Sequence, residues 1–62
     1  MSQDIEKNMI ENTQQVINGL LAMQKVMLAT CKIFACRENS ITLTKVEEAL
    51  MWQEKRMNEL LD

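Results

Sequence analysis

The chain contains no proline and a single glycine, Gly19. A backbone so poor in turn-forming residues favours long helices and disfavours hairpin-rich β architectures. Its 62 residues make one domain at most. A chain of this size buries only about 60% of the surface its unfolded form exposes, so a lone copy is marginally stable. Small scaffolds make up the deficit with disulfides, a metal or partner subunits.

The first two routes find little support. Cys31 and Cys36 are the two cysteines, and the chain has no histidine. On one helix, residues five apart point about 140° from each other, which suits neither a disulfide nor a metal pair. The expectation is therefore two buried, reduced thiols in a cytosolic protein, with no metal and no cofactor. Subunit association remains. The net charge of −2 argues against binding duplex nucleic acid, which calls for a basic face. The first ten residues mix charges without an apolar core, unlike a secretory signal. From Val16 to Cys36 the chain is apolar, but Asn18, Gln24, Lys25 and Lys32 interrupt it. It falls short of the roughly 18 unbroken apolar residues of a spanning helix, so a soluble protein without a membrane partner is expected.

The spacing predicts an all-α helical hairpin preceded by a short amino-terminal helix. Residues 2–13 form a weak segment with Ile5, Met9 and Ile10 in a thin stripe, either docked on the rest or continuing into it. Residues 14–35 form a long helix in which Ile17, Leu20, Leu21, Met27, Leu28, Cys31, Phe34 and Ala35 keep helical spacing. Met23, Val26, Thr30 and Ile33 make a second apolar row on another side. One partner helix covers one stripe, so the second row is an expected subunit interface. Asn18-Gly19 is the natural point for a kink, because glycine costs about 1 kcal/mol relative to alanine inside a helix. A polar turn at 36–41 leads into a final helix at 42–61, capped by Thr44 with Glu47 or by Thr42 or Ser40. Leu43, Val46, Leu50, Met57 and Leu60 are its buried stripe, with Leu61 beside it.

Catalytic constellations are missing. There is no histidine or tyrosine and no glycine-rich phosphate loop, and the adjacent Glu47 and Glu48 diverge by about 100° around a helix. An enzyme is not expected. The turn holds more chemistry. Arg37 is followed by the hydroxyls of Ser40, Thr42 and Thr44, by Lys45 and by the free N–H groups of a helix start. That combination can receive a phosphate. Glu38, Glu47 and Glu48 allow the plainer alternative of capping and surface ion pairs. Lys25 and Lys32 read as a solvated stripe. Trp52, the one tryptophan, reads as a core or interface indole, with base stacking as the other option.

The string Arg37-Glu38-x-Ser40-Ile-x-Leu-Thr44-Lys45-Val-Glu47-Glu48-Ala49-Leu50-Met51-Trp52 resembles the helical hairpin domain of phage anti-CBASS and related anti-Thoeris proteins. That family has an S-R-E-x-S turn and a T-K-L-E-E-A-x-M-W helix; here Cys36 stands for the serine and Val46 for the leucine. The resemblance covers residues 36–56. It implies a compact homo-oligomer, commonly a hexamer, that sequesters cyclic oligonucleotide messengers in the cytoplasm of the infected bacterium, without a chemical step. In relatives the turn arginine meets the phosphates of a cyclic trinucleotide, which carries over to Arg37. The ligand-binding set expected on this basis is Arg37, Glu38, Ser40, Thr44 and Lys45. Larger relatives hold cyclic dinucleotides with an amino-terminal aromatic and a lysine; this chain has no tyrosine and no aromatic before Phe34, so that site is not carried over. The alternative reading is a small oligomerising adapter that docks on a host protein through its Met-rich face.

Overall fold

The computed structural model describes residues 3–62. Within them the chain forms two helices, α1 (Gln3–Ile33) and α2 (Arg37–Leu61). They fold back on each other through residues 34–36 into a rod of 48 × 14 × 13 Å.

The expected helical hairpin is present, but the separate amino-terminal helix is not. Residues 3–33 are one unbroken helix, and Gly19 lies inside it without a positive φ. Thirty-one residues at 1.5 Å each give about 46 Å, against about 37 Å for α2, so the amino-terminal end of α1 runs past its partner. Residues 3–8, all exposed, are that overhang. Asp4 and Glu6 in the first turn and Lys32 in the last complement the helix dipole.

A seam with alternating three- and four-residue steps joins the helices. On α1 it runs through Ile10, Thr13, Ile17, Leu20, Gln24, Met27 and Cys31; on α2 through Asn39, Leu43, Val46, Leu50, Gln53, Met57 and Leu60. All fourteen are buried or half-buried. This is the spacing of an antiparallel coiled coil. The Gln24 side-chain amide donates to the Glu47 carboxylate across the seam at 3.4 Å, which fixes the level of one helix against the other. By that register Leu20 faces Leu50 and Thr13 faces Met57. Four seam positions are polar. Thr13, the most buried side chain at 2% exposure, satisfies its hydroxyl on the Met9 carbonyl at 2.8 Å.

The predicted α2 stripe is buried or half-buried at all five positions, whereas the α1 set is only partly so. Ile17, Leu20, Met27 and Cys31 lie in the seam; Leu21, Leu28, Phe34 and Ala35 are exposed. Leu21 and Leu28 sit roughly 60° around the helix from the seam centre, outside the stripe one neighbour can cover. Phe34 and Ala35 lie beyond the helix. The second apolar row is open to solvent at Met23, Val26 and Ile33, the last two 57% and 71% exposed. Its fourth member, Thr30, is half-buried and bonds back to the Val26 carbonyl.

The chain exposes 4951 Å², against about 4100 Å² for a compact monomer of its mass. Its thin core makes each buried contact matter. Leu50→Ala should lower unfolding free energy by about 2–4 kcal/mol in denaturant titrations at fixed protein concentration; a loss under about 1 kcal/mol would remove Leu50 from the seam.

Candidate functional site

The link between the helices is shorter than the sequence suggests. Cys36 is extended (φ −158°, ψ 164°) and is the residue before the first turn of α2, which starts at Arg37. The Phe34 N–H reaches the Thr30 carbonyl at 2.7 Å, closing α1, and the Ser40 N–H reaches the Cys36 carbonyl at 3.1 Å, opening α2. Asn39 ties the two ends together: its side-chain amide donates to the Phe34 carbonyl at 2.8 Å.

Arg37, Glu38 and Ser40 therefore stand on the first turn of a helix and not in a loop at 36–41. Thr44 is a mid-helix residue and not an N-cap, and its spacing to Glu47 is no capping box. The hydroxyls show why: Thr42 bonds back to the Glu38 carbonyl at 2.9 Å, and Thr44 to the Ser40 carbonyl at 3.1 Å. Mid-helix threonines commonly bond in this i−4 manner. Sequence spacing alone cannot separate an early cap from a back-bonded threonine one turn later.

Starting the helix at Arg37 lays its outer face out as a site. Arg37, Ser40, Ile41, Thr44 and Lys45 line one open concavity of about 450 Å³. Four of the five expected ligand residues meet there. Glu38 does not line it; at the second helical position its carboxylate complements the dipole instead. Ile41 was missed, although its i+4 spacing from Arg37 was legible.

The partners of these groups decide what they can offer. Among the described residues, neither the Arg37 guanidinium nor the Ser40 hydroxyl has a bonding partner. Thr44 has spent its proton on Ser40 and can only accept. Lys45 lies 3.7 Å from Glu48 in a solvent-exposed pair, which contributes little. Cys36 makes no side-chain cap bond, so the first N–H groups of α2 keep their pull on an anion. Guanidinium, one free hydroxyl, a helix start and an apolar patch from Ile41 suit a phosphate attached to an organic ring.

Cys36 differs from expectation, and Trp52 is not a core indole of the hairpin. Cys36 is exposed at the start of α2, not buried on a shared helix with the half-buried Cys31, because α1 stops at Ile33; both thiols are free. Trp52 is 54% exposed and outside the seam, with the Lys55 ammonium 5.2 Å from its ring centre.

Comparison with known proteins places the chain in a family. The Acb2/Tad1 hairpin domain matches residues 3–57. The chain belongs to that family. Among curated proteins it is similar to Thoeris anti-defense 1 of Bacillus phage SBSphiJ7, at 62% identity over 76% of this chain. This Acb2/Tad1 hairpin spans 38% of that relative's length. No solved structure matches it significantly.

Asn39 gives the site its most direct structural test. Asn39→Ala removes a bond worth about 1 kcal/mol and should raise amide exchange at residues 37–40 several-fold while leaving the middle of both helices protected. Unchanged exchange would mean that the Phe34–Asn39 link does not hold the first turn.

Proposed function

We propose that this Acb2/Tad1 hairpin sequesters a cyclic oligonucleotide messenger of bacterial anti-phage immunity, acting in the cytoplasm of the infected cell and without chemistry on the ligand. The observation that carries this reading is the unpartnered Arg37 on the first turn of α2, beside Ser40 and Ile41. One copy offers one guanidinium on an open surface, too little for tight binding. A cyclic trinucleotide carries three phosphates around a threefold axis, and three copies around the same axis would give each phosphate its own Arg37. Charge-assisted contacts contribute about 1.5–3 kcal/mol apiece before entropy costs. Homo-oligomerisation, as a hexamer in this reading, is then a condition of binding.

Membership in the family supports the sponge role, since a protein that removes a signal needs affinity and copy number only. The target defence is the finer question. The motif resemblance points to CBASS trinucleotides, while the 62% identity to Thoeris anti-defense 1 favours a Thoeris signal. A cyclic ADP-ribose-type molecule carries a pyrophosphate in place of three separated phosphates, and Arg37 suits the trinucleotide better.

Isothermal titration with cyclic trinucleotides and with a glycocyclic ADP-ribose decides between them. Wild type should bind a trinucleotide at submicromolar Kd. Arg37→Ala should weaken binding at least 100-fold with the oligomer mass unchanged in native mass spectrometry. Trinucleotide affinity unaffected by Arg37→Ala would remove the site; binding of the ADP-ribose ligand alone would move the target to Thoeris.

A further inference from the structure

The two helices expose different chemistry. By length and composition α1 is apolar enough to lie in a lipid phase, whereas α2 turns one aromatic ring among charged groups toward solvent. Trp52, Lys55, Arg56 and Glu59 follow i, i+3, i+4 and i+7 spacing, which puts them on one helix face, away from the seam. All four are exposed and line a concavity of about 250 Å³. It shares no residue with the concavity at Arg37, and Trp52 stands about 22 Å along α2 from that arginine.

The polar groups of this cluster are unspent. Among the described residues the Trp52 indole N–H, the Arg56 guanidinium and the Glu59 carboxylate have no bonding partner. Lys55 has only the Trp52 ring, with its ammonium 5.2 Å from the ring centre. The order of residues accounts for this. A helical cation pairs best with an acid one turn before it, but Lys55 has Met51 and Trp52 there, and Arg56 has Trp52 and Gln53. One turn ahead of both, only Glu59 is acidic, and it stands on the less favourable side.

We propose that this cluster is a second ligand site, for a guanine nucleotide. Each group has its counterpart in that ligand class. An open indole offers a stacking surface to a planar base, and Trp52 is 54% exposed. Arg56, with Lys55 beside it, supplies the fork and the charge that hold a phosphate. Glu59 is an acceptor only. It selects a base edge with two adjacent donors, and among the common bases guanine presents one, its N1–H beside the N2 amino group. Adenine and cytosine place a ring acceptor next to their amino group, and uracil flanks its N–H with carbonyls; those acceptors repel a carboxylate. An acidic peptide would bring no base to the indole and would meet Glu59 as a like charge. The site needs no group from the Arg37 concavity.

Trp52 is the one tryptophan, so its fluorescence reports the site directly. GMP should quench it saturably and bind at least fivefold more tightly than AMP or guanosine. Glu59→Gln should erase the preference over AMP, and Arg56→Ala the preference over guanosine, with helicity by circular dichroism unchanged. In isothermal titration Trp52→Phe should keep GMP binding and Trp52→Ala should lose it. A cyclic guanine dinucleotide that binds more tightly than GMP assigns the site to a cyclic messenger, and the reverse order assigns it to the free nucleotide. No quenching up to millimolar GMP would overturn the site. So would indole emission already blue-shifted to that of a buried ring before ligand is added, because Trp52 would then be covered by another copy. Equal binding of AMP or guanosine by wild type would overturn the ligand class. The Arg37→Ala chain, blinded at the first concavity, should still be quenched by GMP; loss there would merge the two sites and overturn the proposal.

Discussion

A helix buries one stripe against one neighbour, and α1 is apolar on more than one. The seam to α2 takes the stripe through Thr13, Ile17 and Met27; Val26 and Ile33 stay in water on another side. Everything else in the molecule follows from that surplus. The seam is thin, four of its fourteen positions are polar, and its best-buried side chain is a threonine. Such a seam fixes register and direction more than it supplies stability. The rod leaves its second apolar row, Met23, Val26 and Ile33, exposed.

The candidate site is built on the same logic. The three-residue link places Arg37 on the first turn of α2 and at one end of the rod, where its guanidinium stays unpaired. A side chain in such a position is nearly useless alone and effective in symmetric copies. The proposed ligand site lies on the outer face of α2 and leaves the exposed apolar row of α1 uninvolved.

Much of this was legible in the residues. The lack of proline marked long helices, and the α2 stripe from Leu43 to Leu60 was readable from its spacing. Arg37, Ser40, Thr44 and Lys45 line one concavity because helical spacing puts them on one face of α2, which begins earlier than the turn expected at 36–41. The beginning itself was not legible. The Asn39 side chain that ties α2 to Phe34 acts through a carbonyl on the preceding helix, a contact no local pattern records, and a T-x-x-E string later in the chain imitated a cap. The seam of α1 was misjudged for a related reason. Thr13 is buried and Gln24 half-buried by tertiary packing although both are polar, while Leu21 and Leu28 are exposed although apolar; hydrophobicity and burial part company when two faces compete for one partner.

The dependence of folding on association is best measured by thermal unfolding, followed by circular dichroism across a thousandfold range of protein concentration. Linked folding and assembly make Tm rise with concentration by mass action, with helicity and mass lost together on dilution. A Tm independent of concentration, with full helicity retained by a monomer at nanomolar levels, would contradict the account.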